Sequence, residues 1–372
     1  MRIAYLLTSL GVGGAEKQVV ALAERMARHG HAVLLVVLRE KLTQEWPTDV
    51  EVAYLDMRKT PFSAVLGLIH GRNVLKAFRP DLVHGHTFPA NMAARILRAM
   101  GGAPVVITTI HSVHDGGWLR MQLYRLTDVL ALHATAVSNA VAERVISCGA
   151  VPQEKCSVVT NAIDTAELAP DAERRLATRE KLGASKDFVW LAVGRMVPAK
   201  DYPNLMQAFE RLWPQIPEVQ LWIAGEAMDR SERQAHEAYS SIATQRGTTA
   251  RVRWLGLRRD IPALLDAADG FVLPSAWEGM PLVVGEAMAM EKRVVATDVG
   301  GVRELMGTTG MIVPSKNPEA LASAMMTQMQ IPADQQDKQG KEARGRIVKS
   351  FSMDTRAAEW ECFYAAMLGP RG

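Results

Sequence analysis

Two carboxylates, Glu278 and Glu286, stand eight positions apart in the run Glu278-Gly279-Met280-Pro281-Leu282-Val283-Val284-Gly285-Glu286. The residues between them are of the kind that open a helix. Proline suits a first helical position, because its missing N–H would be unpaired there anyway, so a helix beginning at Pro281 is expected. The amides just after it point outward and, with the helix dipole, form a site for a phosphate or diphosphate. From Pro281 to Glu286 such a helix climbs about 7.5 Å at 1.5 Å per residue. That is roughly the separation of a sugar-nucleotide's diphosphate from its ribose hydroxyls. Gly285 inside the helix costs about 1 kcal/mol relative to alanine, which is expected if a ligand lies close to the backbone. A helix N-terminus with an incidental pair of acids would have the same local sequence.

A second constellation, Gly194-Arg195-Met196-Val197-Pro198-Ala199-Lys200, follows directly on the apolar run Phe188–Val193. A strand-to-loop junction at the carboxyl end of a parallel sheet is where such folds bind ligands. Arginine and lysine five apart on that loop can both reach one diphosphate, Arg195 by its planar fork and Lys200 as a point charge. The bland alternative is a pair of solvated surface cations.

The two constellations resemble the E-x7-E signature and the G-R-x4-K loop of retaining, family-4 glycosyltransferases (glycosyltransferase group 1) with the GT-B fold. The resemblance implies that Arg195 and Lys200 clamp the donor diphosphate and that Glu286 holds the ribose. Glu278, with the neighbouring Gly279, Met280, Pro281, Leu282 and Val283, would hold the donor sugar and phosphates. The glycine turn Gly11-Val12-Gly13-Gly14-Ala15-Glu16 fails the dinucleotide fingerprint, having Glu16 where the third glycine belongs, and lacks the G-K-[ST] of a P-loop. By resemblance it is a cleft-lining loop, with Gly13 and Gly14 beside the donor. His111 matches the family's histidine beside the transferred sugar and acceptor. Leu255-Gly256-Leu257-Arg258 resembles the loop whose backbone meets the nucleotide base, which adds Leu257 and Arg258 to the donor site. Asn161-Ala162-Ile163-Asp164 resembles the interdomain hinge, with alanine where glycine is usual. Gly225-Glu226-Ala227 departs from the family's common G-x-G, which leaves sugar specificity open. The resemblance covers about residues 1–368, with the specific signals in the second half.

His84-Gly85-His86 invites a metal reading, since alternate strand residues face the same way. No third ligand lies close in sequence and the chain has no D-x-D. The expectation is therefore cleft-lining or hydrogen-bonded structural histidines, no metal and no cofactor.

The elements that position these residues alternate short β-rich apolar runs with helical patterns, the sign of doubly wound parallel sheets. Strands are expected near Ile3–Leu7, Val33–Leu38, Val52–Leu55, Leu82–His84, Val105–Thr109, Ala134–Val137 and Ser157–Val159. A second series is expected near Phe188–Val193, Gln220–Ala224, Val252–Leu255, Phe271–Leu273, Val294–Thr297 and Ile312–Val313. Helices between them include Tyr202–Leu212, Ile261–Ala268 and Pro281–Ala289. A last helix, about Asp354–Leu368, carries Trp360, Phe363 and Tyr364, which must be buried. The fold class is α/β, two Rossmann-like domains facing across a cleft. Residues 1–168 form the acceptor-side domain, onto which a C-terminal helix at 353–372 packs back, and 169–352 the nucleotide-sugar domain.

With 372 residues, two domains of ordinary size are expected. The 48% apolar and 22% charged content is that of a soluble globular protein. Three cysteines without C-x-x-C or metal-ligand spacing fit reduced thiols in a cytosol. No apolar stretch approaches the roughly 20 residues of a spanning helix. Net charge is +3, but residues 58–125 hold nine basic residues against two acidic ones, Asp81 and Asp115. They are interleaved with Phe62, Leu66, Leu68, Ile69, Ile96, Leu97, Trp118, Leu119, Met121 and Tyr124. No recognition motif accompanies them, which argues against nucleic acid. The functional reading is a surface leaning on an anionic membrane; the bland one is helices covering a sheet, with cationic rims.

The expected activity is retaining, metal-independent transfer of a sugar from a nucleotide-sugar, in the first instance a UDP-sugar, to a lipid-linked or polysaccharide acceptor. The expected setting is cell-surface glycan assembly on the cytosolic membrane face. A nucleotide-sugar epimerase or a phosphorylase on the same fold is an enzymic rival, told from a transferase by whether nucleotide release requires an acceptor. A non-catalytic nucleotide-sugar-binding subunit is the third reading, against which the joint presence of Glu278, Glu286, Arg195 and Lys200 argues.

Overall fold

The structure, a computed structural model, describes residues 1–11, 13–42, 48–184, 186–225, 227, 230–245 and 250–369. The chain separates into two compact units, Met1–Ala162 with Phe351–Gly372, and Ile163–Ser350. In the first, strands β1 (Arg2–Leu7), β2 (Ala32–Val37), β3 (Glu51–Tyr54), β4 (Leu82–His86), β5 (Val106–Ile110), β6 (His133–Ala136) and β7 (Cys156–Val158) form one parallel sheet. Its order is β3-β2-β1-β4-β5-β6-β7. In the second, β8 (Phe188–Val193), β9 (Val219–Ala224), β10 (Val252–Gly256), β11 (Gly270–Leu273), β12 (Arg293–Thr297) and β13 (Met311–Val313) pair in parallel. Their order is β10-β9-β8-β11-β12-β13. Each strand expected from sequence is present, with ends displaced by no more than two residues. Parallel strands carry helices on both faces and so read as continuous apolar runs; Ile3, Ala4, Tyr5, Leu6 and Leu7 are all fully buried.

The last helix, Met353–Leu368, returns to the first unit. Trp360 and Tyr364 join the core made by β1, β2 and the helix Gly14–Arg28. A buried hydroxyl must find partners, and Tyr364 bridges two: its Oη lies 2.7 Å from His84 Nδ1 and donates to Tyr5 Oη at 3.2 Å. His84 Nε2 meets Thr109 Oγ1 at 2.7 Å, and Thr109 Oγ1 meets Thr135 Oγ1 at 2.6 Å. One hydrogen-bonded chain thus runs from the C-terminal helix across β1, β4, β5 and β6.

The opposite face of this sheet is covered by helices Pro61–Phe78 and Phe88–Ala99. Pro61–Phe78 turns its glycines inward. A Cβ on Gly67 would sit 2.3 Å from Met57 Cγ, and one on Gly71 2.9 Å from Leu55 Cδ1. Its large apolar residues Phe62, Val65, Leu66 and Ile69, spaced as one helical stripe, therefore face solvent, Phe62 at 74% exposure.

Tyr364→Phe is expected to leave His84 Nδ1 without its partner and to cost about 1–3 kcal/mol, the penalty for an unsatisfied buried polar group. Urea unfolding of the variant beside the parent checks this. Equal midpoints would show that the buried chain adds nothing.

Candidate active site

In the second sheet the strand order reverses between β8 and β11. Ligands of doubly wound sheets bind outside the carboxyl ends of the strands at such a reversal. Two loops leave there: Gly194 to Lys200 after β8, ending in the short turn Pro198–Lys200, and residues 274–281 after β11, which lead into the helix Leu282–Ala289. They are joined through the backbone, Ala276 N donating to Ala199 O at 2.8 Å. Lys200 Nζ donates to Glu278 Oε1 at 2.6 Å, and Ser275 Oγ donates to the same oxygen at 2.7 Å. The Ser275 carbonyl in turn accepts from Thr297 Oγ1 at 2.6 Å. The side chains of Lys200 and Glu278 are only 19% and 14% exposed. Arg195 differs, at 56% exposure with Nη1 3.5 Å from Glu232 Oε1.

Glycines allow these loops to approach so closely. A Cβ on Gly194 would lie 2.8 Å from Lys200 Cε, and one on Gly225 only 1.9 Å from the Gly194 carbonyl oxygen. Gly300, at φ +51°, faces the backbone of the acidic loop, where a Cβ would come within 2.4 Å of Glu278 O and 2.6 Å of Gly279 O. Its neighbour Gly301 donates its N–H to Gly279 O at 2.7 Å.

Two details of the acidic segment differ from expectation. Pro281 is the N-cap in extended conformation (φ −77°, ψ 105°), and the helix begins at Leu282. Gly285 answers to packing: a Cβ there would lie 2.6 Å from Ile163 Cδ1, so the glycine admits a neighbouring side chain and not a ligand. Gly279, Met280, Pro281, Leu282 and Glu286 are buried and Val283 half-buried, Glu286 retaining 5% exposure. Past β10, Arg258 is held in a fork by Asp260, Nε to Oδ1 at 2.7 Å and Nη2 to Oδ2 at 2.5 Å. That contact turns the guanidinium toward its own loop, and Leu257 beside it is half-buried. Glu226 lies outside the described residues.

Gly13, Gly14 and His111 belong to the first unit. There the order reverses between β1 and β4, whose exits are linked by Thr8 Oγ1 and Thr87 Oγ1 at 2.8 Å. Gly13 caps the helix Gly14–Arg28 and is covered by its own chain, since a Cβ there would fall 2.3 Å from Glu16 Oε2. Glu16 occupies the third helical position from which a carboxylate folds back over the cap. Gly14 is exposed. His111, half-buried after β5, places Nε2 3.0 Å from His86 Nδ1. Burial lowers the pKa of His111 to about 4 and holds those of His84 and His86 well below the ordinary range. Among the described residues no group of three or more His, Cys, Asp or Glu is arranged to hold a metal ion.

Ser275, Thr297, Gly300, Gly301 and Glu232 were not singled out by sequence as members of the second unit's site, nor was His86 as the partner of His111 in the first unit. Ser275 carries a short-range signal, three positions ahead of Glu278; the others join only through strand pairing and loop contact.

Gly300→Ala places a side chain in the left-handed region, at about 1–2 kcal/mol, and drives a Cβ into the Glu278–Gly279 backbone. Denaturant unfolding is expected to show at least that loss. Gly345→Ala, in a helix with nothing within 4 Å of the new Cβ, is expected to be neutral or stabilising by up to about 1 kcal/mol. Equal effects of the two would remove the packing account.

Family models match two stretches of the chain, one described as Glycosyltransferase Family 4 over residues 12–167 and one as Glycosyl transferases group 1 over residues 187–330. The UDP-Gal:alpha-D-GlcNAc-diphosphoundecaprenol alpha-1,3-galactosyltransferase of Escherichia coli is 26% identical over 314 residues, covering 81% of this chain and 79% of its own. The alpha-maltose-1-phosphate synthase of Mycolicibacterium smegmatis is 31% identical over 321 residues, covering 79% of each. Among solved structures, Anabaena Alr3699/HepE in complex with UDP and glucose superposes with a TM-score of 0.86 at 22% identity, over 98% of this chain and 99% of that one. That likeness shows the fold. With both models matched in chain order and a 31% identical relative aligned over most of its length, this chain belongs to family 4 of the glycosyltransferases and is built on the GT-B fold.

Proposed function

We propose that this glycosyltransferase transfers a sugar, with retention at the anomeric carbon and without a metal, from a UDP-sugar to a lipid-linked or polysaccharide acceptor in cell-surface glycan assembly. The observation that carries the proposal is the Lys200–Glu278 pair, steadied by Ser275, where the helix Leu282–Ala289 opens at the strand-order reversal. The difficult event in such a transfer is departure of a nucleoside diphosphate, on which negative charge accumulates. Lys200, Arg195 and the first amides of the helix are the groups that stabilise it. The arriving diphosphate takes Lys200 from Glu278, and the freed carboxylate accepts from the hydroxyls of the donor sugar while the N–H groups of Gly279 and Met280 donate to their oxygens. Glu286, a turn further along, holds the ribose; Leu257 and Arg258 border the base through their backbone. Pro281, Leu282 and Val283 shape the phosphate end, and His111, Gly13 and Gly14 are proposed to contact substrate. The acceptor attacks on the face the leaving group vacates, with the departing phosphate helping to take its proton. The UDP donor is supported by the E. coli relative's name and by the Anabaena neighbour's ligand; the lipid-linked acceptor is supported by the former's diphosphoundecaprenol.

Arg195→Ala and Lys200→Ala are each expected to lower kcat by about 10²–10³, the effect of removing a donor to developing charge, while circular dichroism stays unchanged. Glu286→Ala is expected to raise the donor KM at least tenfold with kcat at saturation nearly preserved, because ribose does not change in the reaction. A preserved KM with reduced kcat would reassign that carboxylate. Activity is expected to persist in excess EDTA; abolition by chelator with rescue by Mn²⁺ would overturn the metal-free reading.

The same protein is proposed to work on the cytosolic face of an anionic membrane as a peripheral enzyme. No described helix is long and apolar enough to cross a membrane. The helix Pro61–Phe78 instead presents its apolar stripe outward, and the helix Trp118–Leu126 does likewise with Trp118 at 75%, Leu119 at 65% and Leu126 at 74% exposure. Met121 and Tyr124, grouped with this surface by sequence, face the core, as does Leu97. Arg95 is fully buried, donating to Tyr124 O at 2.7 Å and Thr127 Oγ1 at 2.9 Å, so it leaves the basic surface and anchors the helix instead. Lys59, Lys76 and Arg125 remain exposed. Each cation near an anionic surface adds about 1 kcal/mol, and the attraction fades within a Debye length. In liposome flotation, binding is expected to rise with phosphatidylglycerol content and fall at high salt. Phe62→Ser with Trp118→Ser, or Lys76→Glu with Arg125→Glu, should weaken it while soluble-acceptor activity survives. Equal partitioning onto neutral and anionic liposomes, or none, would leave an ordinary solvated surface.

A further inference from the structure

We propose that His86 is a positioning residue that fixes His111 as a neutral ring carrying its proton on Nδ1, so that His111 offers substrate a hydrogen-bond donor and not a base. The inference deepens the substrate role proposed for His111 and rests on it.

The geometry begins with β4, where His84 and His86 project from the same side with ring centroids 4.0 Å apart. His84 has hydroxyl partners at both nitrogens, Tyr364 and Thr109. Among the described residues His86 has one hydrogen-bond partner: Nδ1 lies 3.0 Å from His111 Nε2, while its buried Nε2 has none. Two neutral histidines sharing one hydrogen bond admit two proton arrangements. In the first, His86 Nδ1–H donates to His111 Nε2; His86 Nε2 is then a bare lone pair, and the proton of His111 sits on Nδ1. In the second, His111 Nε2–H donates to His86 Nδ1, and His86 buries an N–H with no acceptor, against the rings of His84 and Tyr5. Orphaned buried N–H groups are rarer than under-satisfied acceptors, which selects the first arrangement. His111 makes no second hydrogen bond among the described residues, so its Nδ1–H remains for an incoming oxygen. Burial keeps both rings uncharged near neutral pH, and the tautomer rather than the charge decides what His111 can do.

The test reads the tautomer without substrate. Long-range ¹H–¹⁵N spectra of the full-length protein with labelled histidine, assigned by the resonances lost in His111→Asn, are expected to show position 111 in the Nδ1–H form and uncharged down to about pH 5. In His86→Phe, checked for folding by circular dichroism, position 111 is expected to lose that bias while remaining uncharged near neutral pH, since burial and not His86 holds its pKa down. Activity provides an independent arm. His111→Asn, whose amide overlays Nδ1–H, should retain at least tenfold more kcat than His111→Gln, whose amide overlays Nε2. An Nε2–H spectrum in the parent protein, or a tautomer unchanged in His86→Phe, overturns the positioning role. The expected spectra with transfer indifferent to position 111 would uphold the tautomer and sink only the substrate role.

Discussion

Parallel sheets buried on both faces leave little room for polar chemistry except at the carboxyl ends of the strands, and the rest of this protein's organisation follows from that constraint. In the second unit three neighbouring strands end in glycine: Gly194 after β8, Gly225 after β9 and Gly256 closing β10. Their backbones are stitched together, Gly194 N to Ala224 O at 2.9 Å and Gly225 N to Gly256 O at 2.8 Å. Without side chains in the way, the β8 loop folds flat and the Lys200 stem crosses Gly194 to reach the acidic loop. Gly300 closes the arrangement from the β12 side. The loops that carry the charged groups are therefore held by backbone contact, which leaves their side chains available to a ligand.

The charge arrangement is suited to exchange. An ion pair as protected as Lys200–Glu278 gains little net stability, because desolvating both charges offsets much of their attraction. Removing one partner and leaving the other buried is far more costly, so each of the two needs the other or a replacement for it. In the proposed donor complex a diphosphate is the second anion for Lys200, and the sugar's hydroxyls are the partners of Glu278. Only the two together satisfy both groups, and neither requires the loops to open, since Ser275, Thr297 and the Gly301–Gly279 hydrogen bond keep them in place. Arg195, more exposed and paired at longer range with Glu232, can move to a ligand with smaller loss.

The first unit uses its residues differently. Its C-terminal helix is tied in by the buried polar chain through Tyr364 and His84, which covers one face of the sheet. On the other face a helix that packs through glycines leaves Phe62, Val65, Leu66 and Ile69 in solvent. Such an outward stripe is not a by-product of covering a sheet, since the larger side chains would bury more apolar area if the helix were rotated. Arg95 and Asn91 then fix the helix Trp118–Leu126 by hydrogen bonds to Tyr124, Asn91 Nδ2 reaching its hydroxyl at 2.9 Å. That anchoring commits Trp118, Leu119 and Leu126 to the surface.

Sequence by itself determined the α/β class, the strands of both sheets and the helix that follows the acidic loop, because apolar runs and their spacing report burial directly. It also pointed to the family, through charged residues at fixed separations on glycine-bearing loops. Tertiary structure alone decided what those spacings meant in space. Lys200 and Glu278 are 78 positions apart and meet only because β8 and β11 are neighbours in the sheet. Gly285 had suggested a close ligand, but Ile163 occupies that space. Met121 and Tyr124 carry the same apolar character as Trp118 and Leu119, yet point the opposite way, since composition does not state which side of a helix meets the core. The tautomer proposed for His111 rests on a nitrogen of His86 that finds no partner among the described residues, which is set by what packs around it and by no residue type in the chain.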